Sequence, residues 1–128
     1  MKKPPFPTRD DLIAGYIAMN RAPVGSAEYH EAFWSFMIMD DLVEDFPEEA
    51  FEVIKRILDT DDADEVVGPL AAGPIEELLC SHGLRMIDAI ESEARRNPKF
   101  NHALGGVWES DSLPEVWARV QAVRKSIW

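Results

Sequence analysis

The sequence predicts an all-α fold, a compact bundle of six to eight short helices, with a short HEAT-like stack of antiparallel helix pairs as one form it could take. Three observations lead there. Apolar residues recur at i, i+3, i+4 and i+7 through most of the chain. No stretch alternates apolar and polar residues as a half-buried strand would. Residues that start and stop helices recur at short intervals, so the connections must be short. No internal period is clear enough to define true repeats.

The elements follow in order. Residues 1–7 carry three prolines and two lysines and are expected to form an extended, frayed tail, with residues 8–128 as a single helical domain. Thr8 has the side chain of an N-cap, and Asp10 and Asp11 fall in the first turn, where the helix dipole favours negative charge. Leu12, Ile13, Tyr16 and Ile17 form the apolar stripe of this helix, and Pro23 and Gly25 end it. Ser26 is the next N-cap. The helix after it, from about Ala27 to Glu44, is predicted to be long and central, because it carries two apolar stripes. One stripe is Tyr29, Phe33, Phe36, Met37 and Val43; the other is Trp34, Ile38 and Leu42.

Pro47 suits the first turn of a third helix, with Ala50, Phe51, Ile54, Ile57 and Leu58 facing inward. Its outer face carries Glu48, Glu49, Glu52, Lys55 and Arg56, and Glu52 and Arg56 make a favourable i,i+4 pair. The Asp59–Asp64 run is a polar break. A short helix from Asp64 to about Ala72 follows, weakened by Gly68 and Pro69.

A second Gly-Pro step, Gly73-Pro74, is read as a helix start, with Gly83 closing a short helix at His82. A longer helix then runs from Leu84 to Arg96. Asn97-Pro98 ends it and opens another, with Phe100, Ala103, Leu104, Val107 and Trp108 inward. Gly105 and Gly106 are expected to admit a neighbouring helix. Ser112 and Glu115 read as a capping box around Pro114. The last helix turns Val116, Trp117, Val120, Val123 and Ile127 inward.

Part of this pattern is familiar. The stretch Leu70-Ala-Ala-Gly-Pro-Ile-Glu-Glu-Leu-Leu79 is followed by His82-Gly83, then Glu91 and Ala94-Arg95, then Pro98, Phe100 and Leu104-Gly-Gly-Val-Trp108. On these residues the chain resembles a bacterial domain family of unknown function. That family reads, in outline, Ala-Gly-Pro-Leu-Glu-x-Leu-Leu, His-Gly, an Ile-x-x-x-Glu-x-x-Ala helix and Leu-Gly-Gly-Val-Trp. Ile75 stands where the family has leucine, and the likeness spans about residues 30–120. The resemblance implies a small helical protein and brings no activity with it.

Composition narrows the function. A formal net charge of −11 argues against binding nucleic-acid backbones, which takes clustered Lys and Arg, and against an anionic membrane surface. The single cysteine, Cys80, permits no internal disulfide and suits a reducing compartment. There is no apolar run long enough for a membrane span and no secretory h-region behind Met1, so a cytoplasmic location is expected. No sequence feature calls for a cofactor.

Three polar residues fall on apolar stripes. His82 follows Ile75, Leu78 and Leu79; Glu91 shares a face with Leu84, Ile87, Ile90 and Ala94; Asp40 shares one with Phe33, Phe36 and Val43. Burying such groups unpaired is expensive. The favoured explanation is structural. His82 suits a helix C-terminus, Glu91 could cap the helix opened by the Gly73-Pro74 turn, and Asp40 could pair with Arg119, Arg95 or Arg85. The competing one gathers His82, Glu91, Asp40 and Glu76 in one pocket, to hold a divalent metal or to do acid–base chemistry. Its weakness is spacing, since no Glu-x-x-His or His-x-x-x-His pattern is present.

Other motifs are weaker still. Cys80 and His82, at i and i+2, face different ways on a helix. Gly68–Gly73 lacks the Lys-Ser/Thr of a phosphate loop, and residues 59–64 lack the glycine and final Glu of a calcium loop. The four tryptophans fit core positions better than a ligand cage.

The charge is concentrated. From Asp40 to Glu65 there are twelve acids against two bases, Lys55 and Arg56, a net −10 of the chain's −11. Such a segment is either a solvated, solubilising face or a docking surface for a basic protein. On the docking reading Asp41, Glu44, Glu48, Glu52, Asp61 and Asp62 are the contact candidates. The expected function is therefore a non-enzymatic interaction module, for example a toxin antagonist. The alternative is a small metal-dependent or acid–base enzyme centred on His82 and Glu91.

Overall fold

The structure is a computed structural model that describes residues 5–128. Met1 to Pro4 of the expected tail lie outside the described residues; within the rest of it, Phe6 is 90% exposed. Every regular element among the described residues is helical. They are α1 (Arg9–Arg21), α2 (Ala27–Ala32), α3 (Trp34–Asp45), α4 (Pro47–Thr60), α5 (Asp64–Leu70), a π-helical turn (Ala71–Ile75), α6 (Glu76–Arg96), α7 (Pro98–Leu104) and α8 (Pro114–Val123). Two joints are continuous, α2 with α3 and α5 through the π turn with α6, so the segments make six rods. No helix among the described residues is long and apolar enough to cross a membrane.

The first helix starts as its residues dictate. Thr8 accepts the Asp11 N–H at 3.1 Å, and the Asp11 carboxylate accepts the Thr8 N–H at 2.9 Å, which completes a capping box. Ser26 caps α2 by accepting the Tyr29 N–H. The predicted long helix is broken at Phe33. There the Phe33 N–H reaches only as far as the His30 carbonyl, and the Ser35 hydroxyl donates to the Ala32 carbonyl at 2.7 Å. Such tightening and side-chain back-bonding bend helices.

The bend bears on which face is buried. Trp34, Ser35, Met39 and Val43 point into the core, while Phe33, Phe36 and Met37, expected inside, lie 37%, 46% and 59% exposed. Periodicity marks residues that share a face; here the smaller, mixed face packs against α1 and the aromatic one meets solvent.

In α4 the expected inward set is buried, together with Val53. The expected Glu52–Arg56 pair gives way to others. Glu52 takes Lys55 at 2.7 Å, and Arg56 crosses to Asp10 of α1 at 2.8 Å.

The Gly-Pro steps do not separate helices. Prolines inside a helix remove a hydrogen bond and crowd the preceding turn. The widened turn between α5 and α6 accommodates this: the Glu76 N–H reaches back to Ala71, five residues away, as a π-helical bond does. The resulting rod passes through the middle of the core, burying Val66, Val67, Leu70, Ala71, Pro74, Ile75, Leu78 and Leu79. At His82, with φ −134° and ψ 26°, the helical geometry is interrupted and the rod divides into two helices across a kink, at the place where the sequence expects a helix to end. Gly83 follows because α8 lies close: a Cβ there would stand 3.0 Å from Val116.

The C-terminal part holds the remaining corrections. Asn97 caps α7 by accepting the Lys99 and Phe100 N–H groups. Gly105 and Gly106 admit the C-terminal segment instead of a helix. The Trp128 N–H donates to the Gly105 carbonyl at 2.9 Å, its indole donates to the His102 carbonyl at 2.7 Å, and its ring stacks on His102. Leu113, not Ser112, precedes α8, and no side chain caps that helix. Trp108 is exposed, and Ile127 lies beyond the end of α8 and is exposed as well.

Candidate functional site

The exposed face of α3 follows from its sequence. Phe33, Phe36, Met37, Asp40, Asp41, Glu44 and Asp45 recur at i, i+3, i+4, i+7, i+8, i+11 and i+12, which places them on one side of a helix. All seven are exposed. The N-terminal half of the stripe is aromatic, with the Phe33 and Phe36 rings stacked 5.3 Å apart and Tyr29 5.9 Å from Phe33. The C-terminal half is anionic. Among the described residues none of Asp40, Asp41, Glu44 and Asp45 forms an ion pair.

The acids beyond α3 are in a different position. Glu48 pairs with Arg85, Glu49 with Arg9 at 2.7 Å, Glu52 with Lys55, Asp61 with Arg21, Asp62 with Lys99 at 4.0 Å and Glu65 with Arg21 at 3.4 Å. The hydrogen bond from Arg21 holds the Asp61 carboxyl below its ordinary range. In this part of the segment only Asp59 and Asp64 have no ion pair among the described residues. Of the six contact candidates, then, Asp41 and Glu44 form no ion pair among the described residues, while Glu48, Glu52, Asp61 and Asp62 are matched by internal cations.

The four polar residues singled out for chemistry are not brought together. Glu91 joins α6 to α8: Arg119 donates to it through Nε at 3.2 Å and through Nη2 at 2.9 Å, and Arg95 approaches to 3.2 Å. The Arg119 hydrogen bonds, with the charges of Arg119 and Arg95, hold its carboxyl below the usual range despite partial desolvation. Glu76 accepts the Trp108 N–H at 2.9 Å and the Ser110 hydroxyl at 2.8 Å, fixing the loop after α7. His82 stands at the kink and Glu91 nine residues further along, and Glu91 is not among the residues that line the cleft holding His82. Among the described residues no group of three or more His, Cys, Asp or Glu side chains is arranged to hold a metal ion.

Asp40 and His82 do share a cleft. With Glu44, Glu77, Ser81 and Val43 they line a depression between α3 and α6. The His82 Nε2 is buried there without a hydrogen-bond partner among the described residues. Beside it, sharing Asp40, Val43 and Glu77, lies a cavity of about 140 Å³ whose walls are Tyr16, Phe36, Met39, Gly73 and Pro74.

Besides Ser35, sequence reasoning missed two buried polar residues. Glu93 accepts two bonds from Arg96 and one from Asn97, and Asn101 donates to the Ala94 and Val123 carbonyls while accepting the Lys125 N–H. Their i, i+4, i+8 spacing, Glu93-Asn97-Asn101, was the available signal. The Asn97-Pro98 junction interrupts the helix there and hid it.

The two stretches on which the family resemblance rests meet in space, since Glu76 of the first binds the backbone of Trp108 in the second. A family model for a family of unknown function, DUF6869, matches residues 22–127. The chain belongs to that family. No curated protein matches it, and neither does any solved structure. In this DUF6869 chain the matched region takes in α2 to α8, including the exposed face of α3.

Proposed function

We propose that the protein is a non-enzymatic, cytoplasmic interaction module that binds a basic protein partner through the outward face of α3. The observation that carries this reading is the contrast in charge pairing. Among the described residues, internal cations meet most acids of α4 and the following turn, and none meets the four carboxylates of α3. Unpaired like charges at i, i+4 weaken a helix, so this arrangement costs stability in the isolated protein. A basic partner would relieve it and would be steered toward it. The aromatic half of the stripe adds apolar area of the kind that anchors interfaces.

The test neutralises the face. One variant carries Asp40→Asn, Asp41→Asn, Glu44→Gln and Asp45→Asn; a control carries Glu48→Gln, Glu49→Gln and Glu52→Gln. Capture from the source cell, with and without cross-linking, is run at low and high salt. A basic protein should be retained by the native chain and the control at low salt, lost at high salt through screening, and lost on the α3 variant at both. Retention of no basic protein under any condition would reject the reading.

A further inference from the structure

Resting on that reading, we infer that the partner presents an amphipathic basic segment, with a large apolar side chain one helical turn from a Lys or Arg, and seats it in the groove between α3 and the π turn. The apolar cavity and the acidic cleft beside it form one depression, because Asp40, Val43 and Glu77 line both. Its floor is apolar, built from Tyr16, Met39 and Pro74, all buried, with Phe36 at the open side. The apolar part alone has a volume of about 140 Å³, that of a cavity which holds one benzene-sized apolar group, about 150 Å³. Asp40, Glu44 and Glu77 stand exposed along it, and none of them forms an ion pair among the described residues.

Charge complementarity identifies the occupant. A wholly apolar segment would leave three carboxylates facing an uncharged surface, which strips their water without return. A wholly basic one would leave the apolar floor unfilled. Only a segment with both features satisfies both halves, and one turn of helix, about 5.4 Å, separates i from i+3 or i+4.

Two glycines make the test clean. A Cβ at Gly73 meets nothing within 4 Å, and Gly73 lines the cavity, so Gly73→Leu adds bulk at the wall of the groove without a clash at its Cβ. Gly68, in the same rod, is equally open but lies away from it, so Gly68→Leu is the control. A displayed library of random short peptides is selected on the native protein and on each variant. Native protein and Gly68→Leu should enrich peptides that carry a large apolar residue three or four positions from Lys or Arg. Gly73→Leu should bind those peptides at least about tenfold more weakly, the loss expected when an anchoring side chain is shut out.

Methyl spectra of the native protein supply a second readout that does not depend on how a variant folds. On adding a selected peptide, the signal of Met39, in the cavity wall, should shift while that of Met19, buried elsewhere, stays in place. If basic peptides are enriched with no spaced apolar residue, or bind Gly73→Leu undiminished, or leave Met39 unmoved, the groove inference is overturned and the acidic face stands. If no basic peptide is enriched at all, both fall.

Discussion

Glu91 and Arg119 join α6 to α8 through two hydrogen bonds, 3.2 Å from Nε and 2.9 Å from the terminal nitrogen. The same guanidinium reaches Asp88 at 2.7 Å, so one arginine of α8 holds two acids one turn apart on α6. Glu91→Gln keeps the shape of the side chain but removes its charge and turns one acceptor into a donor facing Arg119. The variant should melt below the native protein and remain folded. Melting at or above the native temperature would return Glu91 to the list of functional groups.

Acidification should act on the same bonds. Glu91 is held below its ordinary range chiefly by Arg119. For Glu93, burial pushes the carboxyl up, but the bonds from Asn97 and Arg96 outweigh it, and it too ends below the usual range. A carboxyl with a depressed folded-state pKa stabilises above its unfolded-state value and loses that stabilisation as pH falls through the folded one. Stability should therefore decline between about pH 5 and the lower folded-state values, where the unfolded chain takes up protons first. Thermal melts from neutral to acidic pH check this, and Glu91→Gln and Glu93→Gln should each flatten the acidic limb.

What the sequence made legible, and what it did not, divides along physical lines. Helix positions were readable because periodicity, caps and breakers act within a few residues: Thr8, Ser26, Pro47 and Asn97 stand where they start helices. The inward faces of α1 and α4 were readable too, but that of α3 was readable without its direction. Phe33, Phe36, Met37 and Asp40 do share a face of α3, but tertiary packing turned it outward. The acidic run was visible, whereas its neutralisation was not, because the cations on Glu49, Asp61, Glu48 and Asp62 come from Arg9, Arg21, Arg85 and Lys99 on other helices. The Gly-Pro steps misled because a local rule, that proline breaks helices, yielded to a widened turn held within the core.

Gly106 and Trp128 offer a coupling test. A Cβ on Gly106 would lie 2.5 Å from the Trp128 ring, too close to be absorbed without movement. Gly106→Ala should cost about 1–3 kcal/mol, as overpacking does, and should free the indole N–H from the His102 carbonyl. Denaturant melts and hydrogen exchange of that indole measure the two effects. In a Trp128→Ala background the same change should cost far less, an interaction of about 0.5–3 kcal/mol. Equal costs in both backgrounds would mean that the ring does not occupy this site in solution.

Asn97 performs two tasks that substitutions can separate. Its Oδ1 caps α7, and its amide donates to Glu93 at 2.9 Å. Asn97→Ala removes both and should cost about 1–2 kcal/mol, the usual loss for a cap. Asn97→Asp keeps a capping oxygen but sets a carboxylate against Glu93. Its cost should therefore be larger at neutral pH than in mild acid, where one carboxyl takes up a proton. Chemical denaturation at the two pH values distinguishes this from simple cap loss, which would not depend on pH.

The direction of the α3 face can be tested by stability alone. If Met37 were part of the core, as its spacing with Phe33 and Phe36 suggests, truncation to alanine would cost about 2–5 kcal/mol. Its side chain is instead 59% exposed, while Met39, two residues on, is 1% exposed. Met37→Ala should then change stability by no more than about 0.5 kcal/mol, the range for ordinary surface positions. Met39→Ala should show the core value, because it opens a void beside Tyr16 and Val43. Paired denaturant titrations of these two variants read the face directly. A large loss at Met37 would place the stripe inside and remove the exposed aromatic half on which the proposed docking rests. A small one leaves Phe33, Phe36 and Met37 as exposed apolar area, next to carboxylates that form no ion pair among the described residues.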